Sequence, residues 1–369
     1  MIVGIPTEVK PGENRVALTP DGARELTAHG HRVLVESGAG AGSALPDADF
    51  VAAGAELVDT DGAWSAALVC KVKEPQPQEF GYLRPDLVLF TYLHLAAYPA
   101  VAEALLAAGT TAVGYETVRN AAGGLPLLAP MSEVAGRLAP QVGAHFLERA
   151  QGGRGVLMGG APGVRPARVV VVGAGTVGLN AAWIAQGMEA EVFLLDRDLD
   201  RLRVVDQIHR GRIMTLASNR AVVERSVVDA DLVIGAVLVP GGRAPVVVTE
   251  DMVRAMTPGS VIVDVAVDQG GCIATTTETT HAQPVVERFG VVHYGVGNMP
   301  AAVPHTSTYA LTNATVPYAV TLASHGVRAA LDVEPALVPG VATVGGALTN
   351  EVTAEALGRH AVDPRTALG

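Results

Sequence analysis

Cysteine is nearly missing from this chain, with only Cys70 and Cys272 among 369 residues. Two thiols cannot build a disulfide framework or a four-cysteine zinc site. Cys70 stands inside an apolar run and Cys272 just after a glycine pair, so packing roles are expected for both. Metal-ligand spacing is missing too: the ten histidines are scattered, with no H-x-x-x-H or H-E-x-x-H. No basic cluster of five or more residues occurs and the net charge is −11, which argues against nucleic acid as a partner. Charged residues make up 17% of the chain and hydrophobic ones 49%, so a large interior is expected, with some apolar surface covered by other subunits. Met1-Ile-Val-Gly-Ile-Pro6 reads as a strand with no basic leader or cleavage site, and a cytoplasmic location is expected.

Charge is also lacking between Arg168 and Glu189, long enough to raise the question of a membrane span. Gly173, Gly175, Thr176, Gly178, Asn180 and Gln186 within that window argue against one, and no membrane partner is expected. What remains fits a buried parallel strand followed by a packed helix. The join between them is Gly173-Ala-Gly175-Thr176-Val177-Gly178, a G-x-G-x-x-G turn. The first glycine permits the tight turn, the second lets backbone approach a pyrophosphate, and the third lets helix and strand pack closely. Eighteen residues beyond Gly178, Asp196 closes the apolar run Val192-Phe-Leu-Leu. A carboxylate there accepts hydrogen bonds from the ribose hydroxyls and favours NAD over its 2′-phosphorylated relative. Arg197 follows it and is of the right type to meet a 2′-phosphate; with Asp196 present, NAD is expected. A second glycine cluster, Gly38-Ala-Gly40-Ala-Gly42, runs into Ser43-Ala-Leu-Pro46 and reads as a loop, because the proline stands where the phosphate-binding helix should begin.

At this length two domains are expected. Apolar strands alternate with helical patterns through Met1–Ile5, Asp21–His29, Arg32–Val35, Ala48–Ala55, Ala67–Lys71, Leu87–Tyr92, Ala100–Ala108 and Thr111–Tyr115. A four-residue apolar repeat predicts a long helix from Ser132 to Ala150, with Ser132-Glu133 at its start. Further strands are expected near Val169, Glu191, Leu232, Val261 and Val291, and a second long helix from Thr306 to His325, with Thr or Ser to cap it. The predicted fold class is α/β: two doubly wound Rossmann-like domains joined by long helices with a cleft between them. Residues 1–130 and 306–369 form the expected substrate-binding and catalytic domain, and 131–305 the NAD-binding domain.

Ligands of such sheets sit outside the carboxyl ends of the strands, so polar residues there are candidates for chemistry. They are Arg15 after the first strand, Lys73 and Glu74 after the strand ending near Val72, His94 after Leu93, Asp268 after the run Ser260–Val267, and Asn298 with Met299 after Val296. Each has a plainer reading. A lone arginine or lysine is usually solvated, a histidine between leucines is more often a hydrogen-bonded core imidazole, and Asp268 with Asp264 fits a structural network on one strand face. As a set they are chemically coherent. Arg15 and Lys73 are suited to grip a small carboxylate, Lys73 to polarise a keto oxygen, His94 to move protons near neutrality, and Asp268 to orient an amine or water.

At these residues the chain resembles the bacterial L-alanine dehydrogenase family. The likeness is carried by Gly4-Ile-Pro-Thr-Glu-Val-Lys, Glu13-Asn-Arg15-Val-Ala-Leu-Thr-Pro, Lys71-Val-Lys73-Glu-Pro, Thr91-Tyr-Leu-His94-Leu-Ala-Ala and Leu128-Ala-Pro-Met-Ser132-Glu-Val-Ala-Gly-Arg. It continues in Asp264-Val-Ala-Val-Asp268-Gln-Gly-Gly and in the stretch from Val296-Gly-Asn298-Met to Thr312-Asn313. The resemblance implies reversible oxidative deamination of L-alanine to pyruvate and ammonia with NAD, in a homohexamer of two-domain subunits. It implies that Arg15 and Lys73 bind substrate and that His94 and Asp268 are the catalytic pair. Hydride would leave alanine Cα to give an iminium; water would add, and proton transfers through His94 and Asp268 would release ammonia. The cofactor contacts it implies are Ser132, Gly173, Gly175, Thr176, Val177, Gly178, Asp196, Arg201, Ser218, Val237, Leu238, Asp268, Asn298 and Met299. Two rivals stand beside it: the nucleotide-binding subunit of a proton-translocating transhydrogenase, which needs membrane partners, and a catalytically silent NAD-binding protein. The polar set Arg15, Lys73 and His94 would be idle in either.

Overall fold

The computed structural model describes residues 1–237 and 244–369; Leu238 lies outside the described residues. The chain divides into two compact units, Met1–Met131 with Val303–Gly369, and Ser132–Ala302. The first unit opens with β1 (Ile2–Ile5), β2 (Arg32–Glu36), β3 (Glu56–Val58), β4 (Leu68–Cys70), β5 (Val88–Thr91) and β6 (Thr111–Gly114). The second holds β7 (Arg168–Val172), β8 (Glu191–Asp196), β9 (Ile213–Ala217), β10 (Leu232–Gly235), β11 (Val261–Asp264), β12 (Val285–Arg288) and β13 (Val291–Tyr294). The remaining strands, β14 (Val341–Val344) and β15 (Ala347–Leu348), belong to the first unit's sheet.

The first sheet runs β15-β14-β6-β5-β4-β1-β2-β3 and the second β12-β13-β11-β10-β7-β8-β9. Their central strands are uninterrupted apolar runs, as in Val169–Val172, Leu232–Ile234 and Val261–Val263, and these residues are all buried, as in sheets covered on both faces. The register pairs Arg168 with Glu191, and their side chains form an ion pair of 3.0 Å. The second unit's core gathers Val170, Val172, Leu195, Val233, Ile262 and Cys272, and part of the first unit's gathers Trp64, Val69, Leu87, Leu89 and Leu105.

In each sheet the order reverses beside its first strand, between β1 and β4 and between β7 and β10. A crevice opens at the carboxyl ends of the strands at such a switch point. Arg15 and Lys73 follow β1 and β4, while Gly173 and Val237 follow β7 and β10.

Several expectations need correction. The sheets are parallel only in their interiors: β14 runs antiparallel to β6, β15 to β14, and β12 to β13. Two-residue turns make these hairpins, Gly345-Gly346 and Phe289-Gly290, each with positive φ at both positions. The long helix begins at Ala129, so Ser132 lies inside its first turns, and it ends at Phe146. The other long helix spans Pro304–Val333 with a break at Gly326, and its N-cap Val303 offers no side-chain bond in place of the expected Ser or Thr. The strand read through Val267 stops at Asp264. The Gly38 cluster, by contrast, is the loop expected of it, with a short 3-10 turn, Ala41–Ser43, and Pro46 caps the short helix Asp47–Ala52.

Candidate active site

In the second unit the glycine turn has the geometry its sequence implies. Gly173 has φ +108°, and a Cβ there would stand 2.6 Å from Ala236 O and 3.2 Å from Val237 N, which places Val237 beside the turn. At Gly178 a Cβ would fall 1.7 Å from Gly173 O, so only glycine lets the helix Thr176–Gly187 sit this close to β7. At Gly175 the nearest atom to a built Cβ is Arg201 Nη1, 3.9 Å away: the space is open on the side where a ligand would approach. Gly175 is also the helix N-cap and supplies no side-chain bond, leaving the first-turn N–H groups of Thr176, Val177 and Gly178 uncapped by side chains.

Asp196 ends β8 with Oδ2 accepting from Ala174 N–H at 2.6 Å and Oδ1 from Asp198 N–H at 2.8 Å, so the carboxylate is held against the glycine turn. Ser218 N–H donates to Asp196 O at 2.8 Å, which brings the end of β9 alongside. Arg201 pairs with Asp198 at 3.4 Å, and Arg197 is exposed. These residues fit a dinucleotide: an open glycine approach, an uncapped helix end and an acidic residue at the next strand's tip.

At the same carboxyl edge of that sheet, across β10 from the glycine turn, Asp268 lies in a 3-10 turn, Val267–Gln269, and Asn298 has φ +57° just before Met299–Ala302. They follow the neighbouring strands β11 and β13, and Met299 is buried. Asp264 is fully buried and accepts from the N–H groups of Ala266, Cys272 and Ile273 at 3.1–3.2 Å, with Cys272 Sγ at 3.6 Å. Burial pushes its carboxyl up to about 6 against these hydrogen bonds. Asp264 therefore closes the loop carrying Asp268 and does not share a strand face with it. Burial raises the Cys272 thiol, and the Cys70 thiol to about 12; neither is a nucleophile. Ser132 is half-buried in its helix.

In the first unit, Arg15 is 2% exposed and clamped by Glu13, Nε to Oε1 at 2.6 Å and Nη2 to Oε2 at 2.5 Å, with Nη1 against Met131 Sδ at 2.9 Å. Burial opposes the guanidinium charge, but Glu13 outweighs it and the group is held above its usual value. Lys73 is half-buried, and among the described residues its ammonium has no hydrogen-bond or ion-pair partner. Burial and then the charges of Arg15 and Lys10 depress its pKa. Two crowded cations with one of them strained towards neutrality form a site that an anion relieves. The Lys73 and His94 loops are joined: Tyr92 N–H donates to Val72 O at 3.4 Å and Thr91 Oγ1 to Lys73 O at 3.0 Å. The His94 ring, 35% exposed, stacks on Tyr92 at 5.7 Å with 2° between planes. Glu74 pairs with Lys10 at 2.5 Å. Arg15, Lys73 and His94 thus gather at one end of the first unit's sheet, while Asp268 and the cofactor candidates belong to the second.

Sequence reasoning missed the carboxylates that hold these loops. Glu8 accepts from Val72 N–H at 2.6 Å and Lys73 N–H at 3.3 Å, and pairs with Lys71 at 3.2 Å. Lys71, fully buried, also pairs with Glu79 at 2.8 Å; burial opposes its charge, but the two carboxylates keep the ammonium above its usual value. Glu116 accepts from His94 N–H at 2.6 Å. Glu8 and Glu116 also follow strands at their carboxyl ends, so the rule that found Lys73 would have found them.

A glycine turn feeding an uncapped helix, with an acid at the next strand's tip, defines a dinucleotide-binding α/β protein. The chain matches the family models described as "Alanine dehydrogenase/PNT, N-terminal domain" over residues 4–135 and "Alanine dehydrogenase/PNT, C-terminal domain" over 139–351. It is 57% identical to the alanine dehydrogenase of Mycobacterium tuberculosis over 370 aligned positions, covering 100% of both chains. Among solved structures, an L-alanine dehydrogenase superposes with a TM-score of 0.95 at 50% identity, covering 97% of this chain and 99% of that one. A transhydrogenase from Sinorhizobium meliloti superposes at 0.81 with 28% identity, covering 95% and 99%. The chain belongs to the alanine dehydrogenase/PNT family. Among the described residues no helix is long and apolar enough to cross a membrane, and no group of histidine, cysteine, aspartate or glutamate is placed to hold a metal ion.

Proposed function

We propose that this protein is an NAD-dependent L-alanine dehydrogenase, catalysing the reversible oxidative deamination of L-alanine to pyruvate and ammonia. The observation that carries the reading is the placement of Arg15 and Lys73 beyond β1 and β4 at the first sheet's switch point, in a chain 57% identical along its whole length to an alanine dehydrogenase. The transhydrogenase likeness is weaker at 28% identity, and exchange between two nucleotides gives a carboxylate-binding cation pair no task.

In this reading residues 1–130 and 306–369 bind substrate and 131–305 hold NAD. Gly173, Gly175, Thr176, Val177 and Gly178 cradle the pyrophosphate, and Asp196, Arg201 and Ser218 meet the adenosine end. Val237 packs on the cofactor, and Ser132, Asp268, Asn298 and Met299 serve the nicotinamide end. When bound, NAD accepts the hydride from alanine Cα. Arg15, kept rigid by Glu13, binds the substrate carboxylate, and Lys73 polarises the keto or imino group. Burial and the charge of Arg15 make this ammonium give up its proton more readily than an exposed lysine would. His94 takes a proton from the added water, and Asp268 steadies the amine as it departs. Homohexameric assembly and a cytoplasmic location belong to the same reading, supported by the family likeness and the low charged fraction; sedimentation measures the assembly.

The test is to mix the purified chain with L-alanine and NAD at alkaline pH. NADH, pyruvate and ammonia should form in equal amounts. Cofactor binding without turnover would leave a silent binder, and nucleotide-to-nucleotide exchange without alanine consumption would favour the transhydrogenase reading.

A further inference from the structure

We propose that Glu116 is the positioning residue that sets His94 for proton transfer, an inference resting on the dehydrogenase reading of the site. His94 has φ +46°, a left-handed conformation that is uncommon for a residue with a Cβ. It is braced here by a carboxylate from the neighbouring strand's end. Glu116 stands two residues past β6, and its Oε1 accepts the His94 N–H at 2.6 Å. Oε1 and Oε2 also accept the Leu93 N–H, at 3.3 and 3.2 Å, so one side chain ties down two consecutive peptides. Beyond the turn, Ala97 and Tyr98 donate their N–H groups back to His94 O at 2.8 and 3.2 Å.

Glu116 is placed as firmly as the turn it holds. Its side chain is only 16% exposed, and it lies over Gly114, where a built Cβ would come within 3.2 Å of Oε2. The same Oε1 stands 4.0 Å from His94 Nδ1, while the Tyr92 ring stacks on the imidazole face. Peptide and ring face are thus held, and with Nδ1 on the Glu116 side, Nε2 is the nitrogen left to meet substrate. In this arrangement Nε2 takes a proton from the water as it adds to the imino carbon and returns it to the amino nitrogen; the C–N bond then breaks, ammonia leaves, and Nε2 takes the remaining hydroxyl proton as the carbonyl forms. Glu116 exchanges no proton.

Three variants separate placement from charge. Glu116→Ala removes every acceptor, Glu116→Gln keeps an amide oxygen for the His94 N–H, and Glu116→Asp keeps the charge but withdraws it by one methylene. Each is measured for kcat and KM with L-alanine, for NAD affinity, and for the rate of His94 carbethoxylation by diethyl pyrocarbonate, read by peptide mass spectrometry. The alanine variant should lose roughly 100-fold in kcat with KM and NAD affinity nearly unchanged, the scale of a displaced general base. Its His94 should carbethoxylate several-fold faster as the ring leaves its stack. The aspartate variant should fall with it, and the glutamine variant should recover about tenfold or more of the lost kcat. An alanine or aspartate variant with wild-type kcat overturns the proposal, as does a glutamine variant no better than alanine. If the wild-type chain turned over no alanine, the dehydrogenase reading would fail by itself. The carbethoxylation rates would still decide this one, since an unchanged rate in the alanine and aspartate variants overturns it.

Discussion

Gly175→Ala tests the cofactor site with little disturbance to the fold. The residue has φ −78° and ψ −171°, which alanine adopts freely, and the added methyl would meet nothing nearer than Arg201 Nη1 at 3.9 Å. The folded chain should therefore change little: alanine is a poorer N-cap than glycine by about 0.5–1 kcal/mol, and no clash adds to that. A bound pyrophosphate meets a different surface. Hydrogen bonds from the backbone require a phosphate oxygen at about 2.9 Å, and a methyl on Gly175 occupies that approach. Losing one charge-assisted hydrogen bond costs about 1.5–3 kcal/mol, which is roughly a 10- to 150-fold rise in the NAD dissociation constant. Calorimetric titration with NAD and a thermal melt of the same preparation measure both halves. An unchanged dissociation constant in a folded variant would show that the pyrophosphate does not pass Gly175, and the glycine-turn argument would be wrong.

Gly178→Ala should behave oppositely. Its methyl lands 1.7 Å from Gly173 O, so the helix must lift from β7, and overpacking of about 1–3 kcal/mol should lower the melting temperature by several degrees as well as weaken NAD; an unchanged melt would contradict this. Lys71→Met leaves Glu8 and Glu79 buried without their shared cation and should cost about 3–5 kcal/mol, measured by urea unfolding; a loss below 1 kcal/mol, roughly that of an exposed pair, would refute it. The folded chain holds the Lys73 proton less tightly than the unfolded chain. Stability on this account rises with pH between the lowered value and the unfolded value near 10.4. Lys73→Met should flatten that rise while abolishing turnover; a variant that stays active, or one that keeps the same slope, refutes the role. Asp264 has the reverse sign for a carboxylate. Its folded value of about 6 exceeds the unfolded value, so its contribution is greatest at low pH and is lost as pH rises through about 6. Asp264→Asn should flatten the unfolding free energy over that window, and coincident slopes in variant and wild type would refute the assignment.

Much of this was legible in the sequence because it depends on local pattern. Runs such as Val169–Val172 announce strands buried on both faces, and the glycine spacing at Gly173 announces the turn that follows. Arg15, Lys73 and His94 are singled out by a positional rule, polar residues beyond strand ends, and the structure places Arg15 and Lys73 after β1 and β4 at the first sheet's switch point. What the sequence hid depends on partners distant along the chain. β14 and β15 are four and two residues long, and nothing in Val341–Leu348 says that it pairs with β6. Asp264 was misread because alternation was carried through Val267, whereas the carboxylate turns back to collect three N–H groups from residues up to nine positions ahead. Glu8 and Glu116 act on peptides 64 and 22 residues away, a relation no spacing rule contains.

The central claim is that this chain takes hydride from the Cα of L-alanine. Supplying L-alanine deuterated at Cα, with NAD, and weighing the reduced cofactor by mass spectrometry tests it most directly. The account predicts one deuterium in every NADH formed, with pyruvate as its co-product. NADH that carries no deuterium, or none formed at all while NAD binds at the Gly173 turn, would contradict it.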